Sequence, residues 1–265
     1  MNAESIRVMR TEVWTDWEGH VINGTFPLHR FVGGSHHSAV FLSEYRAQNQ
    51  RAVAIKLVPA DNLNAEAQQL VQWGAVATLS HPHVARLFDV GRCQLGGRGF
   101  LFAVMEYAEQ TLAEILPKRP LTGGEVLELL PPTLEALGYL HKSNLVHGQL
   151  KPSNIVVVND QIKLASDTIR SPGPLPSGIG RTTLYDPPEL RTSGTSAAGD
   201  VWALGITMVE ALTQRYPVPD DRSETPLLPA GLPAEFVDVV KGCLSRSPAN
   251  RPTVRDLERL PCRRH

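Results

Sequence analysis

At 265 residues the chain is long enough to bury a large core in one big domain or two lobes. Its 42% apolar and 20% charged residues are ordinary for a water-soluble globular protein, and a net charge of −1 gives no footing for a nucleic-acid-binding surface. Cys93, Cys243 and Cys262 lie far apart, are odd in number and lack metal-ligand spacing, which argues for a reducing compartment and against a disulfide framework. No apolar run approaches the ~20 residues of a membrane helix. The start, Met1-Asn2-Ala3-Glu4-Ser5, lacks the basic and apolar regions of a secretory signal, so a cytoplasmic chain is expected. The stop at Pro261-Cys262-Arg263-Arg264-His265, soon after the last helical pattern, fits one domain of a longer chain.

Residues 1–27 read as an extension in which Trp14 and Trp17, three apart, share one helical face and pad the neighbouring lobe. From Phe26 to Val58 the pattern is strand-like: Phe31-Val32, Ala39–Leu42 and Ala52–Ile55 are short β-type runs, with a hairpin turn expected at Gln48-Asn49-Gln50-Arg51. Residues 62–79, rich in Ala, Gln, Leu and Glu, predict a helix, and strand-like runs return at Val84–Val90 and Phe100–Tyr107. Beyond Glu109 the character is helical. Val126, Leu127, Leu130, Leu134, Leu137 and Leu140 recur at helical spacing, although Pro131-Pro132 is expected to kink or interrupt that helix. Val201–Leu212 is apolar on several faces and reads as a buried helix; helical patterns at Ala234–Leu244 and Val254–Leu260 close the chain. Ser171–Gly180 and Tyr216–Pro233, rich in Pro, Gly and Ser, read as loops. A β-rich front with one main helix followed by a mostly helical back half predicts a two-lobed α+β architecture: an N-lobe over 28–107 and a C-lobe over 108–265.

Several short motifs occur in a telling order. Val53-Ala54-Ile55-Lys56 closes a strand, and Met105-Glu106-Tyr107-Ala108 ends another. His147-Gly148-Gln149-Leu150-Lys151-Pro152-Ser153-Asn154 is a loop between a helix and the β-branched run Ile155–Val158. Pro187-Pro188-Glu189, Asp200-Val201-Trp202-Ala203-Leu204-Gly205 and Arg251-Pro252 follow. Together they resemble the protein kinase superfamily, most closely the bacterial relatives of the eukaryotic Ser/Thr kinases, over about residues 28–260.

The resemblance implies a bilobal kinase-like fold and assigns roles. Lys56 would hold the nucleotide phosphates, Met105–Ala108 would be the hinge whose backbone at Glu106 and Ala108 meets adenine, and His147–Asn154 would be the catalytic loop. Arg251 would pair with Glu189. Val40, Ala54, Val156 and Met105 would wall the adenine pocket. The phosphate-covering loop, set in register by Val40, has Gly33 in its first glycine slot and Ser35 and Ser38 in the next two, with Gly34 adding flexibility and His36-His37 as a solvated tip. An ordinary glycine hairpin is the alternative.

The same resemblance exposes losses. The helix position that should pair with Lys56 falls on Gln72, and Glu66, six residues away and about 600° around the helix, points elsewhere. Gln149 stands where the family has its catalytic Asp and has no titratable group to act as general base, a loss of about 3–5 kcal/mol of transition-state stabilisation. Gly148 replaces the Arg that reads a phosphate on the activation segment. The strand pattern Ile162–Ala165 puts Ser166 in the metal-binding Asp slot, whereas counting forward from Asn154 favours Asp167. Lys56, Lys151 and Asn154 are the retained catalytic positions, and Asn154 with Asp167 are the candidate metal ligands. The chain is therefore read as a pseudokinase that binds ATP weakly, with its use of Mg²⁺ in question, and acts on a protein partner or regulatory target as a signalling module. The alternative is an active, atypical protein serine/threonine kinase.

Overall fold

A computed structural model describes residues 14–35, 37–45, 51–175, 183–220 and 222–259. His36, the expected turn at 48–50, residues 176–180 of the Pro/Gly/Ser-rich loop, and Cys262 lie outside the described residues. The chain divides into two compact units: one of residues up to Ser80 with Arg86–Ala108, the other of His81–Ala85 with Glu109 onward.

The first unit is built on a five-stranded antiparallel sheet. A short hairpin, β1 (Val21–Ile22) and β2 (Phe26–Pro27), precedes β3 (Arg30–Ser35), β4 (Ser38–Tyr45), β5 (Arg51–Pro59), β6 (Leu87–Leu95) and β7 (Arg98–Glu106), in the sheet order β3-β4-β5-β7-β6. Alternation in β4 sends Ala39 and Phe41 inward, where they meet Ile55, Leu57, Phe100 and Phe102 in a closed apolar cluster. Trp14, Ile22 and Phe26 belong to the same cluster, so the segment before β3 completes this core. Trp14 and Trp17 both pack against Phe100, at ring-centroid distances of 5.9 and 6.2 Å.

Helix α1 (Leu63–Val76) joins β5 to β6; Asn62 caps it by accepting from Asn64 N and Ala65 N at 3.0 and 3.2 Å. Trp73 and Val76 bury its apolar stripe. The strand expected from Val84 begins only at Leu87; Val84 instead makes an isolated bridge to Leu164, because His81–Ala85 belongs to the second unit.

The second unit opens with β8 (Gln110–Thr111) and the short α2 (Leu112–Ile115), then α3 (Gly123–Lys142), β9 (Ile155–Val158) and β10 (Gln161–Leu164). After these come α4 (Leu190–Ser193), α5 (Ala197–Thr213), α6 (Ala234–Cys243) and α7 (Val254–Glu258). A capping box at Thr122 and Glu125 starts α3. Pro131 and Pro132 do not interrupt it: the helix runs through both as one 20-residue element. The reason is placement. The carbonyls deprived of a donor belong to half-buried Leu127 and exposed Glu128, beside the exposed Pro131 and away from the helix's buried face. The opposite face, from Val126 through Leu130, Leu134 and Leu137 to Leu140, is buried. Helix α5 is buried on nearly every side, as its all-round apolar sequence predicts. Cys93 and Cys243 are buried free thiols, and burial pushes the Cys243 thiol up to about 12. No described helix is long and apolar enough to cross a membrane.

Replacing Leu137, which is fully buried, by Ala should cost about 2–5 kcal/mol in urea unfolding; a cost under about 1 kcal/mol would show that α3 is not central to its unit.

Candidate functional site

In the first unit the loop between β3 and β4 is a tight hairpin: Gly33 pairs with Val40, Gly34 with Ala39 and Ser35 with Ser38. Gly34 has to be glycine, since a Cβ there would come within 2.5 Å of the Ser38 carbonyl oxygen; Gly33 faces open space. His37 is exposed at the tip. The preceding segment ties this hairpin at both ends, a contact that no sequence motif announces. The Trp14 indole Nε1 donates to the Ser35 carbonyl at 3.0 Å, and Phe31 N donates to Glu18 Oε1 at 2.6 Å, beside the register shift between Phe31 and Gly33.

Ala54 and Met105 are paired across β5 and β7 and are both buried, and half-buried Lys56 lies opposite Val40. The Glu106 carboxylate is taken by Arg51 Nη2 at 3.2 Å and Arg86 N at 3.0 Å, so its side chain is structural. Ala108, half-buried, ends the unit. On α1, Gln72 is half-buried, while the helix's one carboxylate, Glu66, is buried and paired with Arg92 Nε at 3.3 Å. Glu66 is thus committed to β6.

The loop of the second unit hangs on Asp200, a buried carboxylate in the first turn of α5. Its Oδ2 accepts from His147 N at 2.8 Å and bonds His141 Nε2 at 2.9 Å, and its Oδ1 accepts from Gly148 N at 2.8 Å. Gly148 adopts φ +74°, which a side chain would disfavour. Asn154 Nδ2 donates to the Gln149 carbonyl at 2.7 Å, and Ala165 N donates to the Asn154 carbonyl at 2.9 Å. Among the described residues, Asn154 Oδ1 remains an unspent acceptor. Val156 is buried on β9, and Lys151 is half-buried.

Strand β10 pairs with β9 from Gln161↔Val158 to Leu164↔Ile155, leaving a two-residue turn of Asn159 and Asp160, both at positive φ. Ser166 and Asp167 lie just past the end of β10. Ser166 is fully buried, and its Oγ has no hydrogen-bond partner among the described residues; Asp167 beside it is half-buried. No group of three or more His, Cys, Asp or Glu able to hold a metal occurs among the described residues. His147 is fully buried, and desolvation pushes its imidazole below the usual range, opposed by the charges of Asp200 and Asp167.

At the far end of the segment, Glu189 receives two bonds from Arg251, Nη1 to Oε1 at 2.6 Å and Nη2 to Oε2 at 2.8 Å. Arg251 also donates from Nε to the Ser245 carbonyl at 2.8 Å and stacks over Trp202 at 4.9 Å. Tyr185 and Tyr216 each donate a hydroxyl to Glu210 at 2.6 Å, a cluster that no local spacing announces.

Residues 27–261 match the protein kinase domain. The chain belongs to the protein kinase family. It is 30% identical over 220 residues to the serine/threonine-protein kinase PrkC of Bacillus subtilis, covering 75% of this chain and 32% of that protein. It is 26% identical over 234 residues to PknB of Mycobacterium tuberculosis, covering 76% of this chain and 36% of that one. It thus spans about a third of the length of those relatives. The crystal structure of the Mycobacterium tuberculosis PknI kinase domain superposes with a TM-score of 0.70 at 27% identity, covering 90% of this chain and 94% of that one. As a kinase domain, the chain has the expected β-sheet N-lobe and helical C-lobe.

Two expectations follow. Asp200→Ala orphans two backbone donors and His141, and should destabilise the chain by about 3–5 kcal/mol in chemical denaturation, far beyond a surface substitution. Because His147 is held neutral in the fold, the unfolded chain binds its proton first. Stability should therefore fall as pH drops below about 6.5, by up to ~1.4 kcal/mol per pH unit from this group. Denaturation at pH 7.5 and 5.5 checks it: His147→Phe should lose less stability than the wild type on acidification.

Proposed function

We propose that this kinase domain is a pseudokinase: it binds ATP weakly and acts as a regulatory or scaffolding module on a protein partner. The observation that carries the reading is a loop kept in shape after its acid is gone. Asp200 and Asn154 hold His147–Asn154 in place, yet the residue at the base position is Gln149, an amide that cannot take a proton. Two further changes support it: Gln72 on α1, with Glu66 turned to Arg92, and Ser166, buried and uncharged. The residues proposed for nucleotide are Gly33, Gly34, Val40, Ala54, Lys56, Met105 and the backbone of Glu106 and Ala108 on the first unit, and Lys151, Asn154 and Val156 on the second.

Protein kinases use ATP with Mg²⁺, which neutralises charge across the phosphates. Asn154, through its unspent Oδ1, and Asp167 are the residues that would hold the metal, and the uncharged Ser166 weakens that set. A second reading, an active atypical serine/threonine kinase, draws support from the same Asn154, from Lys151 and from the half-buried Asp167.

A γ-phosphate transfer assay on the wild type, Lys56→Ala and Gln149→Asp separates the two. No transfer by the wild type is expected; transfer that Lys56→Ala abolishes would overturn the pseudokinase reading. Calorimetric titration with ATP should show binding in EDTA as well as in Mg²⁺, and strictly metal-dependent binding, lost in Asp167→Ala, would favour the active reading.

A further inference from the structure

We propose, on the nucleotide-binding reading above, that Trp14 and Glu18 are positioning residues: they touch no nucleotide, and they fix the hairpin that covers its phosphates. Strand β3 is an edge strand of the five-stranded sheet, paired on one side only, to β4. Such an edge leaves backbone N–H and C=O groups open, and a glycine-containing hairpin at its end is free to bend. Here two of those groups are taken by side chains. Trp14 Nε1 donates to the Ser35 carbonyl at 3.0 Å, and Glu18 Oε1 accepts from Phe31 N at 2.6 Å. The second bond falls at the bulge, where the register shift between Phe31 and Gly33 interrupts the ladder. The two bonds bracket Gly33 and Gly34, the residues proposed to lie over the phosphates.

The segment that supplies these bonds has its own anchor. Trp14 is 1% exposed and packs on Phe100 within the apolar cluster. Trp17 packs on the turn between β6 and β7: a Cβ at Gly96, which has φ +55°, would stand 2.6 Å from its ring. Gly19 N donates to the Leu28 carbonyl at 2.7 Å and Leu28 N to the His20 carbonyl at 2.8 Å, so the segment is closed on itself just before β3. Ser35, in the second glycine slot, spends its hydroxyl on the turn, where Oγ accepts from His37 N at 3.1 Å. A mobile phosphate-covering loop loses conformational entropy when it closes on its ligand; a hairpin held beforehand from a buried tryptophan has already lost it. The segment before the sheet thereby sets affinity for the phosphates, while Val40, Ala54 and Met105 set affinity for the base.

Calorimetric titration of ATP and of adenosine into the wild type, Trp14→Phe, Glu18→Ala and Glu18→Gln tests this, with hydrogen exchange of the Phe31 amide followed by NMR. Trp14→Phe keeps a buried ring and loses the donor; Glu18 is exposed, so its variants spare the core. Trp14→Phe and Glu18→Ala should each bind ATP about 2–10-fold more weakly and adenosine like the wild type. Glu18→Gln, whose amide oxygen accepts the same bond, should bind ATP within about 2-fold of the wild type. The Phe31 amide should exchange faster in Glu18→Ala than in the wild type or Glu18→Gln. Equal ATP binding by the wild type, Trp14→Phe and Glu18→Ala overturns the proposal, as does a proportionate loss of ATP and adenosine, which marks a merely structural role. Phe31 exchange unchanged in Glu18→Ala overturns it too. A wild type that binds neither ATP nor adenosine overturns the nucleotide reading itself, and the proposal with it.

Discussion

The second unit depends on one buried carboxylate. Asp200 has lost its water and regains the equivalent in three donors, His147 N, Gly148 N and His141 Nε2, drawn from the loop and the end of α3. With these bonds made, the chain turns at Gly148 with positive φ, and His147 is driven into the core. Val146 and Arg170 bond each other on one side of the turn, while Asn154 closes the loop from the other. Remove the carboxylate, and each of these arrangements loses its reference point.

This dependence explains how the loop keeps its shape whatever side chain stands at position 149. None of the bonds that hold the loop passes through the side chain of Gln149; it is the carbonyl of Gln149 that Asn154 grips. A substitution at that side chain therefore costs little stability, and the scaffold does not oppose it. The same separation holds at the far end of the segment, where Arg251 and Glu189 form a bidentate pair inside a packed setting over Trp202. In the loop itself, the bonds that hold the backbone and the side chain at position 149 are carried by different atoms.

Much of the fold was legible because its signals are local. β-type runs, the Asn62 and Thr122 caps and the apolar rows of α3 and α5 all act within a few residues. Pro131-Pro132 misled because local propensity does not know which side of a helix is buried; here both prolines lie off the buried face. Val84 misled because an apolar β-branched residue is consistent with a strand in either unit, and the division between units decides its partner.

The candidate site divides along the same line. The sequence by itself determined the family, the order of elements and the identities Gln72, Gln149 and Ser166, since motif spacing and residue type are one-dimensional facts. Only the tertiary structure decided that Glu66 is committed to Arg92, that Trp14 and Glu18 tie the Gly33–Ser38 hairpin, and that Arg170 covers Gly148. Those pairings join residues 13 to 26 positions apart, brought together by packing and by the need of buried charges and donors for partners, and no periodicity in the chain encodes them.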